Sequence, residues 1–372
     1  MSRNLVKHSP AALKYYREQV SLSREGLAKK AGDIDVAKIE KGETENQVFT
    51  FKQLQAIAKV LLIPEFLLKT SKTQTKDIPE YIDHRGEIKP YDENSNYALK
   101  KAIYELVNNR EDLLYTYESI EVEPKPFTLR LTGKDATADA ATIREFLKIN
   151  ENKFTLDGTD DYYHAWRTLL ERQDILVLEI SRTKIGSEGM ALYYETLPIV
   201  AILSSGQSNS RKLFTMIHEL VHLGLRESAI DGNILQGSLE TERYCNRVAG
   251  SVLLPEHSLN KLYKDYLPLS ENIDFIRQNL KISRQAIAIQ LRLTDRIKQS
   301  QLDEYLAELD TKNSGWGKSG KQYSAYNHFG KVYIQQVLSA VMSDNISVSS
   351  AINILRVKDL AHLQYLEEKV FS

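Results

Sequence analysis

His218-Glu219-Leu220-Val221-His222 is the stretch of this sequence whose residue types and spacing carry the most chemistry. Residues four apart on a helix stand on one face one turn apart, so both imidazoles can reach a single ion. Glu219 then faces the neighbouring edge of that ion, where a water would be deprotonated by a general base. With eight His in 372 residues, composition alone gives this pattern on the order of one time in a hundred. The arrangement calls for zinc, and catalytic zinc takes three protein ligands and keeps one position open. Glu219 is committed as base, so the third ligand must come from elsewhere. In Glu242-Arg243-Tyr244-Cys245-Asn246-Arg247-Val248-Ala249 the positions 242, 246 and 249 share a helical face. Glu242 is the expected third ligand, Asn246 the hydrogen-bond partner of a ligand imidazole, and Ala249 the gap that lets two helices approach. Glu240 competes poorly, being turned about 200° away. A developing oxyanion needs a further donor, for which Tyr244 and His257 are the candidates. His8, His84, His164, His328 and His362 read as ordinary surface or core residues, and Cys245 as a small core residue.

The elements around these residues can be read from periodicity. Residues 208–225 have a helical pattern with Leu213, Phe214, Ile217, Leu220 and Val221 beside the metal edge and Ser210 as the expected cap. Residues 239–254 form a second helix, stopped by Pro255. Ahead of them, 174–180 and 197–204 are short, apolar and β-branched, hence strands. Gly186 and Gly189 bound a third, around MALYYE. A charged helix is expected over 94–117, closed by Pro124 and Pro126, and residues 270–310 are helical again. The first 70 residues read as short helices, and 71–80 as a polar linker.

Composition narrows the setting. The net charge is −1, so no global field draws the molecule to nucleic acid or acidic lipid. No apolar run approaches the roughly 18 residues of a membrane helix, and the N-terminus lacks the apolar core of a signal peptide. A single cysteine suits a reducing compartment. A cytoplasmic protein with no membrane partner is expected. Residues 1–70 stand apart, with 12 Lys/Arg against 8 Asp/Glu.

FTMIHELVHLGL followed by ETERYCNRVAGSVLLP resembles the ImmA/IrrE metallopeptidases, and Arg211 matches the start of that family's metal helix. The resemblance implies zinc as the ion and Glu242 as third ligand. It implies a peptidase fused to or paired with a repressor-like domain, cutting a transcriptional regulator in stress, mobile-element or phage response. The N-terminal segment is similar to the phage-repressor (Cro/Xre-like) helix-turn-helix, through Ser21 to Gly32, Ile39 to Glu43 and Phe51 to Ala58. There Ser23 caps the second helix, Gly32 makes the turn, and Lys29, Lys30, Lys38 and Lys41 could neutralise phosphates. Two departures stand out: the Gly32–Glu40 interval is about two residues shorter than the family's pattern, and Gly26 costs its helix about 1 kcal/mol relative to Ala. Docking of a protein partner is therefore the rival reading of this segment.

The fold expected is α+β and helix-dominated. It comprises a helix-turn-helix domain (1–70), a helical linker (71–125), a zincin-like metallopeptidase domain with a small sheet (126–262), a helix-turn-helix-like subdomain (263–312) capped by Ser283, and a C-terminal helical unit (313–372). The function expected is a zinc endopeptidase acting on a regulator protein, with DNA as a partner through residues 1–70 and a homodimer as the usual helix-turn-helix assembly. The alternative is a DNA-binding repressor or antitoxin-like protein in which the zinc domain serves interaction or sensing.

Overall fold

The computed structural model describes residues 4–83, 92–149, 162–180, 185, 187–203, 207–230, 240–312 and 324–371. These fall into two compact units. The first comprises Met1–Ile78, Gly86–Asn108 and Thr183–Gly186, the second Pro79–Arg85, Asn109–Arg182 and Ser187–Ser372.

In the first unit, side chains that can cap a helix dictate where the helices begin. Ser9 accepts from Ala12 N ahead of α1 (Pro10–Gln19), Ser23 from Gly26 N ahead of α2 (Arg24–Lys30), and Asp35 from Ala37 N ahead of α3 (Val36–Gly42). Thr50 and Gln53 exchange hydrogen bonds at the start of α4 (Phe51–Val60), a reciprocal cap. A 3-10 turn over Glu65–Lys69 follows Pro64. Gly32 takes φ +93° between α2 and α3, where an L side chain would be strained. β1 (Leu5–Val6) pairs antiparallel with β2 (Phe49–Thr50). Leu13, Leu27, Ile39, Leu54 and Ile57 make the core. Glu43, buried, accepts from Arg17 Nε at 2.5 Å and Arg24 Nε at 2.8 Å, joining the end of α3 to α1 and α2. Burial pushes its carboxyl up, but the two guanidinium groups outweigh that and hold it below the ordinary glutamate value.

The long helix α5 (Glu93–Ser119) is divided between the units at Asn108 and Asn109. Its first residue explains Gly26. A Cβ on Gly26 would run into the Glu93 carboxylate, which also accepts the Ser23 backbone N–H. The glycine is there for close approach of an acid.

The second unit is built on a mixed five-stranded sheet in the order β3 (Ile82–Asp83), β7 (Ala229–Ile230), β5 (Gly189–Leu192), β6 (Ile199–Leu203), β4 (Leu176–Ile180). β4 runs parallel to β6, and β5 antiparallel to both β6 and β7. β4, β5 and β6 are buried throughout, which is why their sequences are apolar runs without alternation. Across one face lies α8 (Asn209–Gly224), buried from Lys212 to Gly224. Its cap is Ser208, whose Oγ accepts from Arg211 N at 3.3 Å. Ser210, expected in that role, is already the second helical residue.

α9 (Glu240–Leu253) packs on α8 and on α6 (Ala136–Phe146), and α7 (Tyr162–Glu171) packs on α8 and β4. α10 (Glu256–Leu262), α11 (Leu269–Leu280), α12 (Arg284–Leu293) and α13 (Gln299–Lys312) follow. Ser283 caps α12, accepting from Ala286 N at 3.2 Å. The chain ends in α14 (Ala325–Phe329), α15 (Lys331–Met342), α16 (Val348–Ile354) and α17 (Leu360–Phe371). The fold is thus a helix-dominated α+β one with a small mixed sheet. Among the described residues no helix is long and apolar enough to cross a membrane.

Candidate metal centre

α8 and α9 bring three side chains to one point. His218 Nε2 lies 3.2 Å from Glu242 Oε2, His222 Nε2 lies 3.4 Å from Glu242 Oε1, and the two Nε2 atoms are 3.3 Å apart. His218 and His222 are fully buried and Glu242 nearly so. These separations suit zinc. Ligands about 2.0–2.1 Å from a tetrahedral ion stand about 3.3–3.4 Å from one another, and the three distances lie at or close to that edge length. The ring orientations agree. His218 Nδ1 donates to Asn246 Oδ1 at 3.1 Å, so its Nε2 turns a lone pair toward the same point.

Cys245 is a buried neighbour of the site, its Sγ and a ring nitrogen of each of His218 and His222 lying within 4.8 Å of one another. Its Sγ lies 3.9 Å from His222 Nδ1. Glu227 Oε2 is 3.5 Å from the same Nδ1. Cys245 and Glu227 thus approach His222 through Nδ1, while Glu242 faces the Nε2 atoms of both imidazoles. Of the two acidic candidates on α9, Glu240 is exposed and Glu242 buried.

Glu219 is buried on the sheet side of α8. Its carboxylate lies against Gly189, the first residue of β5, where an added Cβ would meet it. Thr215, one turn earlier, flanks the same spot, with Cγ2 2.6 Å from that Cβ position.

The remaining expected site residues lie elsewhere. Tyr244 donates its hydroxyl to Asp139 at 2.6 Å, and burial with that carboxylate raises its pKa. Asp139 also accepts from the backbone N–H groups of Thr132 and Gly133. Tyr244 thereby ties α9 to the start of α6. His257 lines a groove of about 890 Å³ with Arg144, Glu145, Glu256 and Gln290. In the first unit Lys29 is exposed, while Lys30 donates to Asn94 at 2.9 Å and Lys38 to Gln53 at 2.8 Å. Lys41 pairs with Glu45 at 3.5 Å.

Gly189 and Glu227 are the neighbours that sequence reasoning missed. Gly189 reads as a turn glycine when only its own strand is considered. Glu227 follows Gly224, the last residue of α8, so helical spacing does not carry it to His222. Cys245, three residues and so about 60° short of one turn from Glu242 on α9, is buried in the core as expected and also borders the site.

Residues 170–292 match the peptidase family model described as the IrrE N-terminal-like domain. The matched span runs from the end of α7 through β4, β5, β6, both metal-site helices and α12. It covers about a third of the chain and supports the resemblance to ImmA/IrrE proteins and a metallopeptidase-like function. No curated protein and no solved structure matches the chain.

Proposed function

We propose that this protein is a zinc peptidase in which His218, His222 and Glu242 hold the ion and Glu219 is the general base. The observation carrying this reading is the convergence of two imidazole Nε2 atoms and a carboxylate at 3.2–3.4 Å in a buried pocket. Two imidazoles and a carboxylate packed this closely in a medium of low dielectric need a proton or a cation shared among them, and the 3.2–3.4 Å spacing matches the edge of a tetrahedral zinc site. Zinc bound there would supply Lewis acidity toward a carbonyl and toward water. Asn246 fixes the His218 ring, and Cys245 and Glu227 approach His222 Nδ1. Glu219 takes a proton from the attacking water on its carboxylate and returns it to the departing amine nitrogen. The peptidase family match at 170–292 favours a polypeptide over a small amide as substrate.

Unit 1 is read as a helix-turn-helix domain, on the support of the Ser23 and Asp35 caps and the positive φ of Gly32 between α2 and α3. Its role is to bring the peptidase to DNA or to a DNA-bound regulator, the regulator being the substrate in control of a stress or mobile-element response. The internal partners of Lys30, Lys38 and Lys41 favour the regulator as the docked species.

The deciding measurement is zinc per chain on full-length protein purified without chelator, for wild type, Glu242→Ala and Cys245→Ser. About one zinc in wild type and Cys245→Ser, with loss in Glu242→Ala, is the expected result. Loss in Cys245→Ser with Glu242→Ala unchanged would transfer the third ligand to the thiol. A folded wild type without zinc would overturn the reading and leave an interaction module. Glu219→Gln is expected to abolish peptide cleavage with zinc content retained.

A further inference from the structure

We propose that Gly189 is a positioning residue for Glu219, its absent side chain being the space in which the Glu219 carboxylate stands. The inference rests on the reading of Glu219 as general base. Gly189 is not needed for its backbone conformation, since its φ lies outside the left-handed region. A Cβ on it would instead overlap Glu219 Oε1, stand 2.9 Å from Glu219 Cδ, and stand 2.6 Å from Thr215 Cγ2.

Which of the three partners yields to a methyl group there follows from how each is held. The strand is pinned. Glu188 O accepts from Leu203 N at 2.9 Å and from Gln207 Nε2 at 3.1 Å, and Gly189 O accepts from Ser187 Oγ at 2.5 Å. The Glu188 carboxylate accepts from Arg211 Nε at 3.0 Å, and Gly189 is in register with Ile202 of β6. Thr215 is buried and β-branched, with few χ1 choices on a helix. Glu219 alone has a long side chain whose end can swing. The methyl therefore displaces the base first, and its remaining overlap with Thr215 Cγ2 is taken up by a smaller shift between β5 and α8 that leaves the metal ligands in place. A displacement of about 1 Å in a catalytic group can cost about 100-fold in rate.

The test compares zinc-loaded full-length wild type, Gly189→Ala, Glu219→Asp and the Gly189→Ala, Glu219→Asp double variant. Zinc per chain, thermal midpoint, crystal structure, and kcat and KM on a fluorescence-quenched peptide library are read for each. For Gly189→Ala the expectation is unchanged zinc, a modestly lowered midpoint, the Glu219 carboxylate moved by about 1 Å, and kcat down about 100-fold at constant KM. Aspartate, one methylene shorter, retreats from the methyl, so the double variant loses less activity than the product of the two single losses. A crystal structure with Glu219 in place and β5 shifted would overturn the inference. So would zinc and thermal midpoint falling in step with kcat, which marks simple packing damage. If wild type cleaves no peptide, the peptidase reading fails, and the position of Glu219 in the Gly189→Ala crystal still decides what the glycine does.

Discussion

A ligand imidazole is useful to a metal only in one orientation, and here the two rings are held differently. His218 has a direct Nδ1–H bond to Asn246 at 3.1 Å, whereas His222 faces Glu227 at 3.5 Å and the Cys245 thiol at 3.9 Å. Removing an outer hydrogen-bond partner of a zinc ligand costs about 10–100-fold in metal affinity. Asn246→Ala is expected at the upper end of that range and Glu227→Ala at the lower, because the Glu227 side chain is 38% exposed and its contact longer. Chelator competition on the two purified variants checks the ranking, and equal losses would refute it. Asp139 makes a separate prediction at this scale. Burial pushes its carboxyl up, but hydrogen bonds from Thr132, Tyr244 and Gly133 outweigh that and leave it below the ordinary aspartate value. A carboxyl lowered in the folded state adds stability that is fully present above its unfolded pKa and is lost as pH falls through the folded one. The thermal midpoint of Asp139→Asn is thus expected below wild type at pH 7, with the gap closing below about pH 4. A gap independent of pH would mean that the carboxylate's charge adds nothing.

The elements separate what local sequence fixes from what only assembly fixes. Ser23 and Ser283 cap the helices expected of them, and the metal-site helices run over Asn209–Gly224 and Glu240–Leu253, close to the spans periodicity gave. His218, His222, Glu242 and Asn246 come together because a helical face is a local property that survives folding. The Ser210 cap failed because Ser208 competes two residues earlier, and the choice depends on where the loop from β6 delivers the chain. Sheet order, the Tyr244–Asp139 bond and the environments of Gly26 and Gly189 are long-range, and no spacing within one element encodes them. Gly26 gives a direct test. An exposed helical glycine replaced by alanine gains about 1 kcal/mol, yet here the methyl meets Glu93. Gly26→Ala is expected to raise the thermal midpoint by less than that gain, because the Glu93 carboxylate must give up the Ser23 N–H, and by the full gain on a Glu93→Ala background. Equal rises in both backgrounds would show that Glu93 does not hold this place in solution.

At the scale of the second unit, the C-terminal segment is part of that unit's interior. Arg167, almost fully buried, donates to Glu171 at 2.7 Å, to Asn327 O at 2.6 Å, to His328 O at 3.1 Å and to Val177 O. Glu171 in turn accepts from Val332 N at 3.1 Å. His328 donates through Nδ1 to Glu179 O at 2.6 Å and accepts at Nε2 from Asn109 at 3.0 Å. Arg356 donates to Asn109 Oδ1 at 2.7 Å, which sets the orientation of that amide. Glu179 reaches the metal helix, accepting from Lys212 at 2.6 Å. A chain ending at residue 323 would strip acceptors from a buried guanidinium and a donor from a buried carboxylate. Breaking such an arrangement costs about 3–5 kcal/mol, or roughly 6–20 °C in a unit of this size. The truncated chain is expected to unfold that much earlier, and to lose zinc affinity as well if Glu179 loosens its hold on Lys212. An unchanged midpoint would make residues 324–371 an autonomous appendage. A lowered midpoint with zinc affinity intact would mean that the tail anchors the sheet and leaves the metal helix to α9.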